Sequence, residues 1–259
     1  MTDYQTITSE ITGGKAVIRL NRPDKYNALT SQMRAELTDA IRTAEGKARV
    51  IVLTGNGPAF CSGQDLSDGT NIADPDLERV LRDEYQPLVR AIDEARVPVI
   101  AAVNGPAAGA GANIALGCDV VIATESAYFL QAFSRIGLIP DAGGTYWLPR
   151  SVGGPKAMGA ALFADKITAR QADDWGMIWE AVPDTVFEAT WNARADHLAN
   201  GPTAAYAMIK QTIRQNWGND LTGQLDLEGK LQGKAGQSRD FKEGVMAFLE
   251  KRAPKYEGR

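Results

Sequence analysis

Three short segments bring together residue types that can do chemistry. Gly137-Leu138-Ile139-Pro140-Asp141-Ala142-Gly143-Gly144-Thr145 sets one carboxylate between a proline and a glycine pair. Gly109-Ala110-Gly111-Ala112-Asn113-Ile114 and Ala59-Phe60-Cys61-Ser62-Gly63-Gln64-Asp65-Leu66 are loops of small residues. A helix N-terminus carries unpaired N–H groups at the positive end of its dipole, and small residues let a ligand oxygen reach them. Two such donors on one oxygen form an oxyanion hole, each contributing roughly 3 to 4 kcal/mol where negative charge develops. Enolate and tetrahedral chemistry both need that arrangement. A carboxylate beside it adds proton transfer. Burial in an apolar turn raises its pKa toward the useful range, and a helix N-terminus lowers it.

Each segment has a plainer reading. The small residues of 109–114 can serve only close packing of a helix on its strand. Asp141 can be the N-cap of a helix that begins near Gly143. Cys61, next to a buried strand, reads as packing. Ser62 as a nucleophile lacks a base, because the single histidine, His197, lies in the polar run Arg194-Ala195-Asp196-His197-Leu198. A dinucleotide fingerprint fails at Ile114, where a third small residue belongs, and no acid follows about 20 residues on. One histidine and two unclustered cysteines also leave no common metal-ligand set, so no metal is expected.

The scaffold that must position these loops is legible from periodicity. Ile7, Ile11, Val17, Ile18 and Leu20 flank Gly13-Gly14 and predict a hairpin. Residues 30–44 predict a helix capped by Thr30 or Ser31, with Met33, Leu37, Ala40 and Ile41 inside and Arg34 and Glu36 outside. Val50-Ile51-Val52-Leu53-Thr54 predicts a strand buried on both faces, and similar runs recur over 97–103 and 120–123. Helical patterns over 77–95 and 108–116 lie between them. The fold class is therefore α/β, with largely parallel strands and right-handed crossovers. Beyond about Ala142 the pattern is almost wholly helical apart from an apolar interruption over 177–182. Phe241, Val245, Phe248 and Leu249 form an amphipathic stripe in the tail. The division expected is a core over 1–200 carrying the site and a helical oligomerisation region over 201–259.

Composition bounds the partners. The 259 residues are 44% apolar and 23% charged, which excludes disorder as the main state. A formal charge of −4 without lysine clusters argues against a nucleic-acid surface. Two cysteines fit a reducing cytoplasm rather than a disulfide scaffold. The uncharged stretch 97–118 is broken by Pro98, Pro106 and four glycines, so it reads as strand, turn and buried helix instead of a membrane span. The opening Met1-Thr2-Asp3-Tyr4-Gln5 has no basic n-region before an apolar run, and no signal peptide is expected.

The three segments, with Asn21-Arg22-Pro23-Asp24-Lys25-Tyr26-Asn27-Ala28-Leu29 and the tail Phe248-Leu249-Glu250-Lys251-Arg252, together resemble the crotonase superfamily of enoyl-CoA hydratases and isomerases. The resemblance implies a spiral of ββα units with a C-terminal helical trimerisation region, assembled as a homotrimer or dimer of trimers. It implies that the Ser62 and Ala110 N–H groups hold an acyl-CoA thioester oxygen. Ser62, Gly63, Gln64, Asp65, Leu66, Gly109 and Ala110 would line the substrate, and Lys25 and Ala28 would lie along coenzyme A. Phe248 and Lys251 would reach a neighbouring subunit's coenzyme A. The stretch 67–85 would supply pocket walls.

The family's hydratases use two glutamates, and the matching positions here hold Asn113 and Phe133. The run Phe133-Ser134-Arg135-Ile136-Gly137-Leu138-Ile139-Pro140-Asp141 resembles instead the branch that isomerises ring-1,2-epoxyphenylacetyl-CoA to oxepin-CoA, where the acid matching Asp141 is catalytic. That resemblance implies an isomerase with Asp141 as proton shuttle, acting on the ring epoxide or moving a 3-enoyl double bond into conjugation. It needs no cofactor beyond the coenzyme A of the substrate. A fatty-acid enoyl-CoA hydratase and a catalytically silent acyl-CoA-binding subunit are the alternatives.

Overall fold

β1 (Ile7–Thr12) and β2 (Lys15–Leu20) pair antiparallel across Gly13 and Gly14, whose φ values of 60° and 78° suit a tight hairpin turn. The computed structural model describes residues 4–68 and 76–259. Residues 1–3 of the opening segment and 69–75 of the expected pocket wall lie outside the described residues. α1 (Ser31–Glu45) starts where the Thr30 hydroxyl accepts from the Met33 N–H at 3.1 Å. It buries Met33, Leu37, Ala40 and Ile41 as its spacing predicts, but it also buries Arg34, only 1% exposed, which was expected outside.

β3 (Val50–Gly55) runs parallel to β2 and is buried along its length. The helix expected over 77–95 is instead three pieces: α2 (Leu77–Val80), a π-helical turn at Leu81–Tyr85 and α3 (Gln86–Asp93). Pro87, without an N–H, cannot continue the α-helical ladder, and the widened turn accommodates it. The uncharged stretch becomes β4 (Val99–Val103), β5 (Ala107–Ala108) and the wholly buried α4 (Ala110–Gly117). β6 (Val120–Thr124) and β7 (Tyr128–Leu130) follow, then a 3-10 turn over Ala132–Ile136.

The region expected to be almost wholly helical is interrupted. α5 (Gly144–Phe163) breaks at Gly153, with φ 76° and ψ 163°, between Pro149 and Pro155. β8 (Ile167–Thr168), α6 (Ala169–Asp174) and β9 (Glu180–Val182) come next, so only the last three residues of the 177–182 interruption are strand. α7 (Phe187–Asn200), α8 (Thr203–Gln215), α9 (Leu221–Ala235) and α10 (Arg239–Leu249) complete the described chain.

One sheet has the order β1-β2-β3-β4-β6-β9, parallel except for the hairpin, and a second has the order β5-β7-β8. Ile51 and Leu53 face the layer of α1, α3 and α4, whereas Val50, Val52, Ile100 and Ile122 pack on Phe187, Trp191, Ala195 and Ala199 of α7. Each such buried Val or Ile is worth about 1.5 to 3 kcal/mol. α8 buries no residue fully, and Ile209, Ile213, Trp217, Leu225 and Phe248 leave apolar surface exposed along the C-terminal helices. No helix among the described residues is long and apolar enough to cross a membrane.

Candidate active site

The loop after β3 is stitched along both edges. Phe60 and Cys61 donate to the Pro106 carbonyl, and Ala108 donates to Cys61 at 2.9 Å. On the other edge Leu29 donates to Gly63 at 2.8 Å, and Asp65 donates to Leu29 at 3.0 Å. In such a parallel pairing the amide of the intervening residue points the opposite way. That residue is Gln64, and its N–H has no acceptor among the described residues. The Ser62 N–H, expected as the oxyanion donor, is spent on the Tyr26 carbonyl at 2.9 Å. The correction moves the free amide two residues along the loop.

Ala110 opens α4, and its N–H is likewise unpaired among the described residues, as in the first turn of any helix. The two loops meet at Gly63, where φ is 94°. A Cβ there would lie 2.9 Å from the Ala108 carbonyl oxygen and 3.5 Å from the Ala110 nitrogen. Only glycine satisfies both the backbone angle and the approach. The free amides of Gln64 and Ala110 therefore flank one small, glycine-walled space.

Asp141 lies between the 3-10 turn and α5. It is not the N-cap. That position is Gly143, and no side chain caps α5. Its Oδ1 is buried without a hydrogen-bond partner among the described residues. Burial pushes the Asp141 carboxyl from 3.8 up to about 6, with the Arg34 guanidinium pulling the other way. Its main-chain carbonyl accepts from the Gly144 N–H and from Asn113 Nδ2, each at 2.8 Å. Asn113 in turn accepts from Gln131 Nε2 at 2.8 Å, so both ends of its amide are committed. Phe133 is buried, and its Cζ would sit 3.8 Å from a Cβ on Gly109. An apolar ring thus walls the entrance to α4.

Sequence reasoning missed three residues behind the loop, Arg34, Glu84 and Tyr85. Arg34 Nη1 donates to Gln64 Oε1 at 2.7 Å and to the Leu29 carbonyl at 3.1 Å. Arg34 Nη2 pairs with Glu84. The Tyr85 hydroxyl donates to the same Gln64 oxygen at 2.5 Å, and the guanidinium stacks over the Tyr85 ring at 4.6 Å. The stripe Arg34, Leu37, Ile41 has core spacing, which is the signal that could have placed Arg34 inside.

The other expected residues divide. Lys25, Ala28, Ser62, Gly63, Gln64, Gly109 and Ala110 share this neighbourhood, with the Ser62 hydroxyl donating to the Lys25 carbonyl at 3.4 Å. The Asp65 carboxylate, expected to line the substrate, is taken by Ser67 at 2.6 Å and by Arg22 at 2.9 Å. Those partners hold it down to about 2. Its task is to fix the loop. Leu66 is exposed at the rim, and Cys61 is buried, its thiol pushed by desolvation up to about 12. Phe248, 82% exposed, and Lys251 lie at the end of α10, and neither hydrogen bonds to the site loops among the described residues.

Two free main-chain amides meeting at Gly63 on a largely parallel α/β fold make an oxyanion-type site, and comparison with known proteins gives the family. The sequence profile of the enoyl-CoA hydratase/isomerase family matches residues 10–259. The chain belongs to that family, and its fold is the crotonase fold. A protein of Rhodobacter capsulatus named "Probable enoyl-CoA hydratase" is 60% identical over 256 residues, 99% of each chain. The "1,2-epoxyphenylacetyl-CoA isomerase" of Escherichia coli K12 is 46% identical over 259 residues, 98% of each chain. The crystal structure of an enoyl-CoA hydratase from Bacillus anthracis superposes with a TM-score of 0.93 at 31% identity, covering 98% of this chain and 100% of that one.

Proposed function

We propose that the protein is an acyl-CoA isomerase in which Asp141 shuttles one proton. The observation that carries the reading is a partly buried carboxylate raised to about 6, its Oδ1 enclosed without a hydrogen-bond partner among the described residues, with an amide and a phenyl ring, Asn113 and Phe133, where hydratases of the family carry glutamates. The Gln64 and Ala110 N–H groups donate to the thioester oxygen of the substrate. Asp141 removes the α proton, the electron pair moves onto that oxygen, and the two N–H groups stabilise the dienolate. The proton then returns from Asp141 to the γ carbon. A 3-enoyl-CoA becomes a 2-enoyl-CoA. A ring-1,2-epoxyphenylacetyl-CoA, after valence tautomerism to its oxepin, becomes the conjugated oxepin-CoA. The proton balance closes without metal or redox carrier, and coenzyme A enters only as part of the substrate.

The name of the Rhodobacter relative favours a second reading, hydration of a 2-enoyl-CoA. Water addition needs a base to activate water and an acid to protonate the α carbon, and one carboxylate walled by Phe133 serves that poorly. Assembly as a homotrimer or dimer of trimers would cover the apolar faces of α8 to α10, and two buried free cysteines suit a reducing, cytoplasmic setting. The deciding experiment offers a 3-enoyl-CoA in deuterated water, with the Asp141→Asn variant alongside. Conjugation with label uptake that vanishes in the variant supports the isomerase. Hydration that survives the substitution supports the hydratase, and binding without label uptake supports a silent subunit.

A further inference from the structure

Of the cluster Arg34, Gln64, Tyr85 and Glu84, only Gln64 is among the expected binding residues. Its geometry is directional. Gln64 has its main-chain N–H free, while its side-chain oxygen is held from behind by Arg34 at 2.7 Å and by Tyr85 at 2.5 Å. Arg34 also ties the preceding strand pairing through the Leu29 carbonyl and is anchored by Ser31 at 3.1 Å and by Glu84. Two donors on one oxygen fix the rotamer, and with the Leu29 N–H on the Gly63 carbonyl they hold still the peptide whose N–H must point at the reacting oxygen.

We propose that Arg34 is a positioning residue of this enzyme: through the Gln64 side chain and the Leu29 carbonyl it braces the loop pairing that orients the Gln64 N–H, and its charge offsets the negative charge gathered at the site. The inference rests on the isomerase reading above. A buried guanidinium is a costly way to hold a loop, since a neutral donor would serve, so the charge itself has a use. Asp141 must be anionic to accept the α proton, and the dienolate is anionic too. The groups that act on that charge are Arg34 from α1 and Tyr85 from the π-helical turn; behind them Glu84 pairs with Arg34 and with Arg79 of α2, and Cys61 lies beside Tyr85. Arg34 opposes the burial that raises the Asp141 carboxyl, and Glu84 is paired with Arg34 and so adds little repulsion at the site.

The test compares Arg34→Gln, Arg34→Lys, Tyr85→Phe and the double variant Arg34→Gln with Glu84→Gln, beside Asp141→Asn. All are assayed for kcat, KM and the pH profile of kcat/KM on a 3-enoyl-CoA. Arg34→Gln is expected to lower kcat by about 10- to 100-fold with KM within about threefold, and to move the acid limb upward. Arg34→Lys should keep the acid limb near that of the parent, because the charge remains. Tyr85→Phe should lower kcat by about 10-fold without moving the limb. A packing role alone would lower thermal stability and leave the limb where it was. If Arg34→Gln does not fold, the double variant, which leaves no carboxylate unpaired, carries the same expectation for kcat, with a smaller upward move of the acid limb because both charges of the pair are gone. An unmoved acid limb and an unchanged kcat in the folded Arg34 variants overturn the proposal even with Asp141→Asn inactive. Turnover retained by Asp141→Asn defeats the isomerase reading instead, whatever the Arg34 variants do.

Discussion

The side-chain amide of Asn113 holds the main-chain carbonyl of Asp141 at 2.8 Å and is itself held by Gln131 at the same distance. A carboxylate at this position could accept from Gln131 but could not donate to Asp141. The amide makes residue 113 a clamp on the loop that carries the acid, and it takes that position out of proton chemistry.

Removing the clamp should cost both stability and rate. Asn113→Ala leaves the buried Gln131 amide short of an acceptor, about 1 to 3 kcal/mol, while the Asp141 carbonyl keeps only the Gly144 N–H. Because a Cβ on Gly144 would lie 2.2 Å from Asn113 Nδ2, Gly144→Ala should displace the clamp without deleting it. Both variants should melt several degrees lower and turn over about 10-fold more slowly with little change in KM. Calorimetry and steady-state kinetics check this, and parent-like values in both would refute the clamp.

Asp141→Asn should lower kcat by between about 10²- and 10⁴-fold, the usual share of a general base, while acyl-CoA affinity stays within about threefold. Isothermal titration with a substrate analogue and a rate measurement separate the two effects. A variant that binds weakly but reacts normally would contradict the assignment.

The same carboxyl ties activity and stability to pH in opposite directions. With its pKa near 6, kcat/KM should rise with pH and level off above about 7. Below 3.8 the group is protonated whether the chain is folded or not. Between 3.8 and about 6 the unfolded chain releases the proton and the folded protein retains it, so stability falls as pH rises through that window. Asp141→Asn escapes this loss and should be more stable than the parent near pH 7.5 by at most about 3 kcal/mol, with the advantage shrinking toward about pH 4. Urea titrations at the two pH values measure it, and a less stable variant at the higher pH would count against a buried anion.

Gly63→Ala forces a Cβ to within 2.9 Å of the Ala108 carbonyl at a φ of 94°. The loops must part, and kcat should drop by about 10²- to 10³-fold, the loss expected when one oxyanion donor is removed. Ser62→Ala leaves every main-chain bond intact and should stay within about twofold of the parent. A Ser62→Ala variant slower than Gly63→Ala would give the Ser62 hydroxyl a role in turnover and contradict this reading of the loop.

The parallel sheet, α1, the α4 N-terminus and the Asp141 turn were legible because period-2 and period-3.6 patterns and glycine pairs are local signals. Strands β5, β7 and β8 were not, since two or three residues carry no period. The choice between Ser62 and Gln64 turned on which way an amide points along an extended loop. That direction is fixed by Tyr26 and Leu29, more than 30 residues earlier. Arg34 read as surface because its partners Gln64, Glu84 and Tyr85 lie 30 to 51 residues away.

A conjugated enoyl thioester, the product expected of this site, is a Michael acceptor, and thiolates add to such carbons readily. Cys61 stands in the very loop proposed to hold the thioester. With its sulfur shut away from the cavity and its proton held until about 12, that thiol is neither reachable nor nucleophilic at working pH. Its depth protects the catalyst from being alkylated by its own product.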